Sequence, residues 1–226
     1  MKVAIVLLGL FALSMAAPDQ RSIASTVEKA AETLVSKATD EIEKLESDIK
    51  SLTSSVTTTA EGYVASARAE IAKVVSTVEE TYNTVVAKGG SFKTCAAGQL
   101  SQLTDIKNTA AKTVGGCTSD LSKTISYFEE DITDLLAELK STISEVVGYV
   151  KECIAEVLDA VTCLISHINP AYEVVDGVIT DAKDALSTAE ARAKQTLANI
   201  EGCTLQTAAT AISQLENLGK GLKACL

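Results

Sequence analysis

Residues 121–168 read LSKTISYFEEDITDLLAELKSTISEVVGYVKECIAEVLDAVTCLISHI, and their apolar spacing decides the fold. Leu121, Ile125, Phe128, Ile132, Leu135, Leu139, Ile143, Val146, Val150, Ile154, Val157, Val161, Leu164 and Ile168 recur every three or four positions. Thirteen steps span the 47 residues from first to last, about 3.6 per step, which is the period of one face of an α-helix. A strand would alternate every second residue, and this stretch does not. Val147, Leu158 and Ile165 widen the stripe in its second half, so deeper burial is expected there. Asn169-Pro170 is expected to interrupt the helix, because proline disfavours the helical conformation in the residue before it.

Working outward, a fourth helix is expected to about Ile200, carrying Val175, Val178, Ala182, Leu186, Ala189, Ala193 and Leu197. Gly202 ends or kinks it, and a fifth runs from Thr204 to Leu218 with Leu205, Ala208, Ile212 and Leu215 inward. Upstream, a second helix covers about Phe92 to Val114, with Leu100, Leu103, Ile106 and Ala110, and Gly115-Gly116 ends it. The first helix carries Val27, Ala31, Leu34, Ala38, Ile42, Leu45, Ile49, Leu52, Val56 and Ala60, then Tyr63, Ala67, Ile71, Val74, Val78, Tyr82 and Val85. Pro18 and Asp19 precede it and Gly89-Gly90 follow it, the punctuation of a start and a stop. The expected fold is all-α, an elongated bundle of about five long amphipathic helices stapled by disulfides. Residues 17–90 form an N-terminal long helix and 91–226 the stapled bundle. Asp40 with Lys44, Glu46 with Lys50, and Glu190 with Lys194 stand four apart in the acid-first order that marks solvated helix faces.

The first residues point to a compartment. Met1-Lys2 is a short basic start, Val3–Leu13 an apolar run, and Ser14-Met15-Ala16 supplies small residues at the −3 and −1 positions. That is the pattern of a secretory signal peptide over residues 1–16, cut between Ala16 and Ala17, because Pro18 disfavours a cut one residue later. The apolar run falls short of the roughly 18 to 20 residues of a membrane span. No later stretch reads as a span, so the mature chain is expected to be secreted and extracellular.

The chain is acidic, with a net charge of −10. That field repels a phosphate backbone, so nucleic acid is not an expected partner, and it disfavours an anionic bilayer. Aromatic residues make up 4% and Trp is absent, so the helices are expected to pack closely through Ala, Val, Thr and Ser.

Six cysteines, Cys95, Cys117, Cys153, Cys163, Cys203 and Cys225, read as disulfides behind a signal peptide. They lack the close spacing of a zinc site. If the third helix turns back at 169–170 and the second reverses near 116, segments 95–117 and 203–225 lie parallel. Cys95–Cys203 and Cys117–Cys225 then come within about two residues of level, roughly 3 Å along the helices. Cys153 and Cys163 would stand about 15 Å apart on one unbroken helix, too far to bond. Either the helix breaks between them, or they are free, or they bridge two chains. Local pairing of 95–117, 153–163 and 203–225 is the rival scheme.

No catalytic, cofactor or metal site is expected. The one histidine, His167, is read as meeting the dipole at the end of the third helix. Glu129, Glu130, Asp131, Asp134 and Glu138 are read as a solvated face, since calcium takes a loop with alternating oxygens rather than a helix. Gly-rich phosphate loops and Gly-x-Ser-x-Gly elbows are absent.

The signal peptide, the Ala/Val/Ser/Thr-rich helices and Cys95, Cys117, Cys153, Cys163, Cys203 and Cys225 together resemble an insect secreted family named for the tsetse midgut EP protein. The likeness covers about residues 70–226, and the Glu-Pro repeats of that protein are missing here. It implies a gut- or fluid-associated extracellular protein with a role in defence. The expected function is non-enzymatic, a structural or interaction protein meeting another protein or a microbial surface. The alternative is an amphipathic lipid- or interface-binding protein resembling the exchangeable apolipoproteins. An exposed stripe on the first helix would call for a bend at 57–62 or a homodimer through residues 20–88.

Overall fold

The computed structural model describes residues 20–155 and 160–226. The helices are α1 (Gln20–Ala87), α2 (Gly90–Ala96), α3 (Gln99–Gly116), α4 (Leu121–Ala155) and α5 (Ala160–Ala224), and there is no strand among the described residues. The fold is all-α and carries three disulfides. Three helices are long, at 68, 35 and 65 residues, rather than five. The signal segment and its cleavage site at Ala16 and Ala17 lie outside the described residues.

Two expected breaks do not occur. Pro170 lies inside α5. A proline removes one backbone donor and strains one turn, at a cost of roughly 3 kcal/mol in a helix interior. That loss is local, and a long apolar stripe downstream outweighs it. Gly202 does not divide the helix either, since one glycine weakens a helix by only about 1 kcal/mol. The stripe passes through it as Ile200, Thr204, Ala208, Ala211, Leu215, Leu218 and Leu222, all buried. This phase puts Leu205 outside, 58% exposed, where a fresh helix starting at Thr204 would have turned it inward.

The chain reverses after α1 at Gly89 and Gly90, with φ of 69° and 54°. L side chains rarely adopt those angles, so glycine is required at this turn. Cys153 of α4 and Cys163 of α5 are bonded at a Cα separation of 5.5 Å, so the two cysteines do not stand on one unbroken helix. This division lies before Asn169-Pro170, where the break was expected.

Packing divides the chain into two units, each assembled from separated segments. One comprises the described part of Met1–Ile49 with Phe128–Ser187, and the other Lys50–Tyr127 with Thr188–Leu226. Within the first, α1 contributes Ala31, Leu34, Ala38, Ile42, Leu45 and Ile49. These are buried against a chain that also hides Phe128, Ile132, Leu136, Leu139 and Val146 of α4 and Val175, Val178 and Ala182 of α5. Among the described residues, α1 therefore buries its apolar positions from Ala31 to Ile49 within its own chain. Helical structure continues through Thr57–Thr59 and Gly62, and the Thr57 hydroxyl donates to the Thr53 carbonyl at 2.9 Å.

Within the second unit, Ala67, Ile71, Val75, Val78 and Val85 of α1 share a core with Ala96 of α2 and Leu103, Ala110 and Val114 of α3. Ala208, Ala211, Leu215, Leu218 and Leu222 of α5 complete it. Small residues at many of these positions let the helices approach closely. The first unit thus packs α1, α4 and α5, and the core of the second packs α1, α2, α3 and α5.

Candidate functional site

The six cysteines set the register. Cys95 bonds Cys225 and Cys117 bonds Cys203, with Cα separations of 5.9 and 5.7 Å. The residue numbers of both pairs add to 320, as do those of Thr124 and Thr196, whose hydroxyls meet at 3.5 Å. Numbers that rise on one helix as they fall on the other mean antiparallel packing. The expected pairs 95–203 and 117–225 are corrected on this point. Segments 95–117 and 203–225 are bolted at both ends, as their equal spacing suggested, but they run in opposite directions. The cause lies at residues 116–121, where the chain jogs without reversing. No cysteine is free.

That jog shapes the candidate site. After Gly116, short turns follow: the amide of Cys117 donates to Val114, that of Ser119 to Gly116 and that of Leu121 to Thr118, at 3.2, 3.1 and 3.1 Å. The Thr118 hydroxyl donates to the Gly115 carbonyl at 3.1 Å, and the Cys117–Cys203 bond ties the jog to α5. Where α3 stops and α4 starts, a groove of about 480 Å³ opens against α1. Val64 and Ala65 of α1 face Leu121 and Ile125 of α4, with the hydroxyl residues Thr57, Thr118 and Ser122 around them. Glu61 and Arg68 bring opposite charges to the groove, seven residues or about 10 Å apart along α1. A Cβ at Gly115 would lie 3.6 Å from the Arg68 guanidinium, so this cation sits by the C-terminal end of α3, where a helix dipole favours positive charge. Such a trough can hold an apolar side chain on its floor and polar or charged groups at its edge.

The residues weighed for chemistry stand elsewhere. His167 lies near the start of α5 rather than at the end of a helix, so the dipole reading does not hold. It stacks instead on Tyr149, with ring centroids 4.6 Å apart and planes 13° from parallel. Glu129, Glu130, Asp131, Asp134 and Glu138 are all exposed on α4. Among the described residues, no three His, Cys, Asp or Glu side chains gather as a metal-ion site. The Tyr172 hydroxyl donates to the Ala30 carbonyl at 3.2 Å, and burial pushes its pKa above the usual 10.0. Among the described residues, no helix is long and apolar enough to cross a membrane.

Sequence reasoning missed the groove. Its one local signal was the run Gly115-Gly116-Cys117-Thr118-Ser119-Asp120, which was read as a stop but not as a stop without a reversal.

The family model described as "Protein of unknown function (DUF725)" matches residues 91–209, more than half of the chain. The chain belongs to that family. The DUF725 span starts just after the Gly89-Gly90 turn and takes in α2, α3, α4 and most of α5, with both walls of the jog and five of the six cysteines. Cys225, the partner of Cys95, falls beyond the DUF725 match. No curated protein and no solved structure matches the chain.

Proposed function

We propose that this protein is secreted and non-enzymatic, and that it acts by binding a protein or microbial surface through its exterior. The observation that carries this reading is the pair of interhelix bolts, Cys95–Cys225 and Cys117–Cys203, in one helical unit. Such bonds persist in oxidising compartments outside the cytosol, and they hold α2 and α3 against α5. The groove beside the second bolt is the part of that exterior where regular helix packing gives way to a recess with an apolar floor. The likeness to the insect family named for the tsetse midgut EP protein supports a setting in gut or body fluid and a role in defence.

Capture from the secretory fluid tests the reading, with the oxidised protein and its Leu121→Glu variant as paired baits. A partner that binds the first, binds it again when purified, and binds the variant at least tenfold more weakly supports recognition at the groove. Equal capture by both baits would place the binding elsewhere, and turnover of a substrate by the purified protein would overturn the non-enzymatic reading.

A further inference from the structure

We infer that the bond between Lys88 and Gly89 is a processing site for a trypsin-like protease, and that one cut there turns α1 into a separable ligand of the rest of the chain. This goes beyond binding through the exterior, and it rests on that reading only for the fluid in which the protease is met.

Lys88 stands apart from the other basic residues. Among the described residues, every other Lys and Arg lies within a helix, whereas Lys88 falls after α1 and before the two left-handed glycines of the turn. It is exposed, and a Cβ built at Gly89 or Gly90 would meet nothing within 4 Å, so both sides of the bond are open. A protease with an acidic specificity pocket takes Lys or Arg ahead of the bond it breaks. Such an enzyme reads an extended segment, so its target must first unravel.

Little resists unravelling here. Ala96 is the buried residue of α2, and no side chain caps that helix at Gly89. Val86 and Phe92 are only partly buried. The Lys88 ammonium lies 5.4 Å from the centre of the Phe92 ring, and an exposed contact of this kind holds weakly. Opening stops at Val85 on one side, which is fully buried, and at Cys95 on the other, which is bonded to Cys225. Residues 86–94 can therefore extend while both anchors stay in place.

The position of the bond gives the cut its consequence. α1 has no cysteine, and all three disulfides join residues beyond Gly89. Water adds to the Lys88 carbonyl carbon, the link to the Gly89 nitrogen breaks, and a carboxylate and an ammonium are left. Nothing covalent then joins α1 to residues 89–226, which keep every disulfide. That piece also contains the whole DUF725 match, which begins at residue 91. α1 remains seated only by its apolar positions, such as Leu45 and Val85.

Limited digestion of the full oxidised chain with trypsin tests the inference. The first new N-terminus is expected at Gly89, with two bands that part on a gel without reductant. Lys88→Gln should slow that cut by about tenfold or more, and Lys93→Gln should leave it unchanged. The melting temperature of the cut protein should fall on dilution, while that of the intact chain should not. Protein recovered from the secretory fluid should carry Gly89 as a second N-terminus. A first cut elsewhere, bands that part only after reduction, or a cut protein whose melting ignores dilution would each overturn the inference. So would protein from the fluid that is wholly uncut. None of these readouts depends on what the protein binds, so the binding reading stands or falls separately.

Discussion

In the unit built from Lys50–Tyr127 and Thr188–Leu226, two disulfides join helices distant in sequence, closing separations of 130 and 86 residues. In the unit built from Met1–Ile49 and Phe128–Ser187, the single disulfide closes a separation of ten. Both units are helical bundles with apolar seams, so the difference lies in what their cross-links restrain. A long closure removes much freedom from the unfolded chain and also prevents two helices from parting. A short closure fixes only the two helices that follow one another, and in both units α1, which has no cysteine, is held by non-covalent forces. Two regions made by the same helix-forming rules are therefore expected to differ in how they open.

The largest expected effect comes from removing a bolt. By the loop-entropy relation, Cys117→Ser with Cys203→Ser should cost about 4 to 5 kcal/mol, and Cys153→Ser with Cys163→Ser about 3 kcal/mol. Denaturant titration of the two variants against wild type compares them, and equal losses would erase the distinction drawn here. Core truncation sharpens it. Leu139 and Leu215 are both fully buried, one in each unit, so Leu139→Ala and Leu215→Ala should each cost about 3 kcal/mol. Hydrogen exchange by mass spectrometry should show the first loosening mainly residues 25–49 and 128–155, and the second showing less spread because its neighbours remain cross-linked.

Tyr172 supplies the smallest effect and a pH signature. Burial raises its folded pKa above the unfolded 10.0, so the unfolded chain loses that proton first as pH climbs. Its contribution is complete below pH 10.0 and is lost as pH rises through the higher folded value. Tyr172→Phe should cost up to about 1 kcal/mol at neutral pH, the worth of one hydrogen bond. It should also flatten the alkaline decline seen in thermal unfolding between pH 9 and 11, roughly the span around a tyrosine pKa.

Most of the fold was legible because helical periodicity is local. The stripes named from the sequence on α1 and α4 are the buried ones at Ala31, Leu45, Val56, Val85, Ile132 and Leu139. Where the reading slipped by one position, at Val75 for Val74 and Leu136 for Leu135, the cause is that each helix meets more than one neighbour, which widens its buried arc. Leu205 was misplaced because Gly202 was credited with a new helical phase. The groove was hidden for a different reason: Val64, Leu121 and Ile125 meet only if the chain passes residues 116–121 without turning back.

The equal spacing of Cys95 to Cys117 and Cys203 to Cys225 marks the same boundary between local and global information. By itself the sequence placed the apolar stripes on helices, read the cysteines as disulfides, and offered two equal segments bolted at both ends against a rival scheme of local pairs. Only the tertiary structure decided which ends meet. Spacing along a helix is identical for parallel and antiparallel partners, and direction depends on where the chain reverses. A proline that α5 tolerates and a glycine pair that jogs without turning carry no local signature that distinguishes them from true reversals.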